Sequence, residues 1–167
     1  MTMSKTIRPN GRIWTGAEQF CKAADALFEG DDFARLVYPV VVNYALSVEL
    51  ALKSTVGFVD VEAPTTDGLV LAARTQSDAW GHKLHSEVFT RLPATIRADL
   101  EMEFKTLTQQ DLQPLLVKCN DYFVVARYAH EYVGGSYDIS GLQTLARGVL
   151  KATKNLGLKS EGLPPEK

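Results

Sequence analysis

Pro39-Val40-Val41-Val42-Asn43-Tyr44-Ala45-Leu46-Ser47-Val48-Glu49-Leu50-Ala51-Leu52-Lys53 is the stretch on which the fold turns. The valine run alone would suit a strand. The continuous length to Lys53 and the Ala, Leu, Glu and Lys content favour a helix. This segment is apolar nearly all round, and such a helix is covered by several neighbours, so it reads as the central helix of a bundle. Pro39 has no amide donor and crowds the preceding turn. It therefore either kinks a helix begun at Asp31-Asp32 or marks the true helix start.

Working outward, Thr15 and Glu18 have the spacing of a capping box. It would open a helix from about Gly16 to Phe28 that ends at Gly30. Ala17, Phe20, Cys21, Ala24, Leu27 and Phe28 form its apolar stripe. Residues 57–80 are the least regular part, with Pro64-Thr65-Thr66-Asp67-Gly68 reading as loop and Leu69 to Arg74 as a short helix. Three further helices are predicted from about Lys83 to Arg91, from Ala94 through Phe104, and from Asp111 to Tyr132 with Pro114 in its first turn. Gly134-Gly135 stops the last of these. A final helix from Ser140 to Leu156 carries Leu142, Leu145, Ala146, Val149 and Leu150 on one face and closes at Gly157. The expectation is an all-α protein: an antiparallel up-and-down helical bundle with an appended C-terminal helix. Residues 1–12 form a flexible N-terminal arm, 13–157 a single domain, and 158–167 a disordered tail.

Composition narrows the function classes. A chain of 167 residues with net charge −2 and a pI near 5.9 lacks the basic surplus of a protein dominated by phosphate contacts, although a local basic stripe stays open. No apolar run is long enough to span a bilayer, and Met1 to Arg12 has no apolar signal core, so the expected location is the cytoplasm. Cys21 and Cys119 both fall within apolar helical patterns and read as buried, reduced thiols. No nucleophile elbow, P-loop or dinucleotide fingerprint is present, and no cofactor is expected.

Three polar clusters stand out against this pattern. Asn43 and Ser47 lie one turn apart on the central helix, as do Glu49 and Lys53, the latter in the favourable acid-first order. A carboxylate on a central helix needs a partner. Lys53 alone at the bundle edge would suffice. In Trp80-Gly81-His82-Lys83-Leu84-His85, His82 and His85 share a face at helical spacing. A metal would need further ligands, so His82 reads as a residue that fixes the loop to the helix start. In Arg127-Tyr128-Ala129-His130-Glu131, Arg127 and Glu131 are one turn apart. An antiparallel bundle would let Arg127 pair with Glu49 in two planar hydrogen bonds, with Tyr128 packed alongside. Arg147, Lys151 and Lys154 form a basic stripe on the last helix, an ordinary solvated face or a contact for nucleic acid.

Taken together, these clusters resemble the HEPN superfamily of helical nucleotide-binding domains. Ser47-Val48-Glu49-Leu50-Ala51-Leu52-Lys53 looks like the family's Ser-x-Glu-Leu-x-Leu-Lys helix. Gly81-His82-Lys83-Leu84 looks like its Gly-His-x-Leu helix start, and Arg127-Tyr128 with Glu131 like its late helix. The likeness covers about residues 33–133. It implies a bundle that often dimerises, with a cleft along the dimer axis, and roles in RNA cleavage, toxin–antitoxin and phage-defence systems, or non-catalytic RNA and nucleotide binding. Catalytic members carry Arg, four to six residues, then His on one helix. Here Arg127 and His130 have two residues between them, and Arg74 and His82 have seven. The resemblance therefore implies a non-catalytic, homodimeric module for RNA, nucleotide or a protein partner in prokaryotic stress or defence. Its site would comprise Asn43, Ser47, Glu49, Lys53, His82, Arg127, Tyr128 and Glu131. The alternatives are a divergent metal-independent ribonuclease using His82 and Arg127, and a purely structural homo-oligomeric subunit.

Overall fold

A computed structural model describes residues 10–61, 73–131 and 135–157. The arm to Pro9, the Pro64–Gly68 loop, the helix start expected at Leu69, Gly134 and the tail from Leu158 lie outside them. The protein is an all-α helical bundle, with six α-helices among the described residues: α1 (Gly11–Phe28), α2 (Val37–Ser54), α3 (Ala94–Thr108), α4 (Leu112–Lys118), α5 (Tyr122–Arg127) and α6 (Ile139–Gly157).

As its composition requires, α2 is the hub. Val40, Val41, Tyr44, Ala45, Val48, Ala51 and Leu52 have no exposed surface, and the helix packs against α1, α5 and α6. Pro39 lies in the first turn of α2, where its missing amide costs no hydrogen bond, so it marks the start rather than a kink. Asp31 and Asp32 do not cap this helix; they precede a short 3₁₀ turn, Phe33–Arg35. At the other end of the hairpin, Asn10 caps α1. Its side-chain oxygen accepts from the amides of Arg12 (2.9 Å) and Ile13 (3.2 Å), and its own amide donates to Ser54 O (2.8 Å). The expected Thr15–Glu18 capping box is therefore not the start, because Asn10 offers a cap one turn earlier that is also bonded to the end of α2. Residues 10–12 belong to the bundle, not to the arm.

Pairings across helices give the directions. Asn10 meets Ser54, the Ser47 hydroxyl meets Ala17 O, and the Asp25 carboxylate meets Tyr44, so α1 and α2 are antiparallel. Trp14 reaches Leu150 and Thr153 while Asp25 reaches Arg147, so α6 is antiparallel to α1. α3 packs on α6 where Gly148 faces Phe104. A Cβ at Gly148 would lie 2.8 Å from Phe104 Cδ2 and 2.9 Å from Thr108 Cγ2, so only glycine permits that approach.

Three further expectations are corrected. First, part of the irregular region forms a β-hairpin: β1 (Gly57–Val61) pairs antiparallel with β2 (Ala73–Ser77), Gly57 opposite Ser77 and Val61 opposite Ala73. Arg74, placed in a short helix by the sequence reading, lies in β2. Second, the helix expected from Lys83 to Arg91 is a single π-turn, Leu84–Val88, followed by a 3₁₀ turn, Phe89–Arg91. His82 precedes that turn, so His82 and His85 do not share a helical face. Third, the long helix expected from Asp111 to Tyr132 is broken at Cys119–Asp121 into α4 and α5. Asn120 occupies the break because its backbone is needed elsewhere. Its carbonyl accepts from Leu84 N (3.1 Å), and its side-chain oxygen accepts from the amides of His85 (2.9 Å) and Ser86 (3.0 Å). Asn120 therefore caps the π-turn from outside.

Candidate functional site

The chemistry gathers where α2, the segment before the π-turn, and α5 meet. Glu49 projects from α2 and is 3% exposed. One turn on, Lys53 donates its ammonium to Glu49 Oε1 (2.7 Å) and to the carbonyl of Gly81 (2.8 Å). His82 brings its Nδ1 to both carboxylate oxygens, at 3.2 and 3.1 Å. A carboxylate offers only acceptors, so this contact requires the proton on Nδ1, and among the described residues Nε2 has no hydrogen-bond partner. The His82 side chain is 53% exposed, so that nitrogen belongs to a solvent-facing ring.

The Gly-His pair is locked from the far side as well. Gly81 has φ +94, a left-handed conformation that favours glycine. A Cβ at this position would collide with the Glu87 side chain, its Cβ only 2.7 Å away. Glu87 accepts from the amides of His82 (3.0 Å) and Lys83 (3.2 Å), and these two donors hold its carboxyl below the usual carboxylate range. Lys53, Glu49 and Glu87 thus fix three consecutive backbone units and one imidazole.

Aromatic side chains extend the site. The Phe123 ring lies 5.1 Å from the His82 ring, centroid to centroid, and the Arg127 guanidinium lies over both Phe123 (5.9 Å) and Tyr128 (5.4 Å). Trp80, next to Gly81, is 69% exposed, the most exposed of the large apolar side chains among the described residues. The signal that could have found these two rings was present: a tryptophan beside a Gly-His turn, and a phenylalanine one turn before Arg127.

The expected pair between Arg127 and Glu49 does not form. Both carboxylate oxygens are filled by Lys53 and His82, so the guanidinium rests on aromatic faces instead. Three other members of the expected set lie elsewhere. Asn43 donates to Pro39 O within its own helix (2.7 Å). The Ser47 hydroxyl donates to Ala17 O (2.8 Å), fastening α2 to α1. Glu131 lies 3.5 Å from His130 Nε2 on an exposed edge.

The basic stripe on α6 is not uniformly solvated. Arg147 Nη2 lies 2.9 Å from Asp25 Oδ1 and 3.3 Å from Glu29 Oε1. Lys154 lies over the Trp14 ring at 5.3 Å. The Tyr44 hydroxyl also donates to Asp25 (2.6 Å), and Gln143 donates to both Asp25 (3.2 Å) and Tyr44 (2.8 Å). Burial opposes ionisation of Asp25, but donation from Tyr44, Arg147 and Gln143 outweighs it and holds the carboxyl below its ordinary range.

Among the described residues, no group of three or more His, Cys, Asp or Glu is arranged to hold a metal ion, and no helix is long and apolar enough to cross a membrane. Comparison with family models, with curated proteins and with solved structures finds no match to this chain. What the fold and the site define is a class: an all-α helical bundle with a carboxylate-oriented, half-exposed histidine that shares the buried Phe123 ring with an arginine.

Proposed function

We propose that this protein is a HEPN-like helical module that binds single-stranded RNA or nucleotide through the face bearing Trp80, His82, Arg127 and Tyr128, as a homodimer in a prokaryotic stress or defence setting. The observation that carries this reading is the lock at Glu49. A buried carboxylate, a lysine and a left-handed glycine hold His82 half-exposed, beside a ring that also carries Arg127. Bases stack on aromatic and guanidinium planes, and phosphates take charge-assisted donors, so the surface offers both halves of single-strand recognition. The test is fluorescence anisotropy with a labelled single-stranded RNA at moderate salt. Binding that weakens about tenfold in Trp80→Ala, as loss of one base stack implies, is the expected result. Absence of binding removes the nucleic-acid reading. Light scattering tests the dimer, and a monomer at all concentrations removes that part.

A second reading is a metal-independent ribonuclease, favoured by the Nδ1 contact of His82. Oriented by Glu49, His82 Nε2 would take the proton from a ribose 2′ hydroxyl as its oxygen bonds to the adjacent phosphorus, the P–O bond to the next ribose would break with that oxygen taking a proton from water, and Arg127 would stabilise the charge gathering on the phosphate. Incubating RNA with the protein and with His82→Ala and Arg127→Ala variants decides it. Equal background cleavage by all three ends this reading.

A further inference from the structure

On another side of α2, a cleft of about 460 Å³ opens between α1 and α6. It shares no residue with the His82 face. Its apolar wall is Trp14 with Leu150. Trp14 is held in place because its indole N–H donates to Leu150 O (3.2 Å) and Thr153 Oγ1 (3.1 Å). Four cations line the cleft, Lys22, Arg147, Lys151 and Lys154, against two acids, Glu18 and Asp25.

The acids are already engaged. Glu18 pairs with Lys22 at 3.3 Å, and Asp25 accepts from Tyr44, Gln143 and Arg147. Among the described residues, neither Lys151 nor Lys154 has a carboxylate within 4.0 Å. Two ammonium groups one turn apart therefore line a pocket whose acids are already engaged, and one of them, Lys154, lies over the fixed Trp14 ring at 5.3 Å. We propose that this cleft binds a phosphomonoester with an apolar or planar body, the phosphate on Lys151 and Lys154 and the body against Trp14. The dianionic phosphate matches these two cations, and the volume suits a small ligand. A phosphorylated small molecule and the phosphorylated end of an RNA chain present the same group.

The proposal stands apart from the reading of the His82 face and is tested by NMR on the full chain. Phenyl phosphate is expected to move the Trp14 indole N–H signal and the amides around Lys151 saturably. Inorganic phosphate is expected to move the Lys151 region more weakly, and phenol to leave both in place. Lys151→Glu, an exposed substitution that leaves the core intact, is expected to weaken phenyl phosphate about tenfold. An oligoribonucleotide with a terminal phosphate, compared with the same oligomer lacking it, separates the two sources. Shifts at Trp14 that need the terminal phosphate extend the site to RNA ends, and shifts with phenyl phosphate alone assign it to small molecules. Equal shifts with phenol, no saturable response at Trp14, or unchanged binding by Lys151→Glu would overturn the proposal.

Discussion

At the scale of the residue, the buried carboxylate of Glu49 organises the site. Glu49→Ala leaves the half-buried Lys53 ammonium with only the Gly81 carbonyl and frees His82, and urea unfolding should show a loss of about 3 kcal/mol. A loss no larger than that of an exposed surface pair would mean that the lock carries little of the fold. Gly81→Ala forces a side chain into a left-handed backbone against Glu87 and should cost about 2 kcal/mol by the same measurement. The two thiols behave oppositely to reactive ones. Burial pushes Cys21 up to about 11 and Cys119 up to about 12. At about pH 8, alkylation of either should wait for unfolding, and labelling of the native protein at the rate of a free thiol would contradict this. That Glu49 needs a partner was legible because a carboxylate on a central helix is costly unless paired. The identity of the partner was not. Spacing allowed both Lys53 and Arg127 to reach Glu49, and only the three-dimensional course of the Gly81-His82 segment shows that His82 fills the remaining oxygen.

At the scale of the element, apolar periodicity finds α1, α2, α3 and α6, although α1 begins a turn earlier and α3 ends a turn later than the pattern indicates. It fails where a side chain or backbone group is taken by another segment. The 84–88 turn and the break at 119–121 are one event, since Asn120 leaves the helix to cap the turn. An Asn-Asp pair inside an apolar helical pattern was the available signal, outweighed by the period on either side. Asn120→Ala removes the acceptor for two amides and should destabilise the protein by about 1–2 kcal/mol. The β-hairpin escaped notice because its two strands are short and lie far apart in the chain. Gly148→Val would drive a side chain into Phe104 where α6 meets α3 and should cost about 2 kcal/mol in thermal or urea unfolding. Unchanged stability would mean the two helices separate freely there.

At the scale of the whole molecule, Asp25 ties three helices together, accepting from α2 through Tyr44 and from α6 through Gln143 and Arg147. Its folded pKa lies below the unfolded value, so its stabilisation is complete above an ordinary carboxylate pKa of about 3.9 and is lost as pH falls through the depressed folded value. The stability difference between the protein and Asp25→Asn should therefore shrink as pH drops below about 4. A difference constant across the acid range would show that the carboxylate is not bonded as described. This network was hidden in the sequence, because Arg147 sits on what read as a basic stripe and nothing in the spacing marks Asp25 as its partner.

An amide NMR titration with a short single-stranded RNA tests most directly whether the face around His82 is a recognition surface. Saturable shifts are expected over Trp80–Lys83 and Phe123–Tyr128, including the Trp80 indole signal. Shifts absent there, or confined to the cleft between α1 and α6, would contradict it.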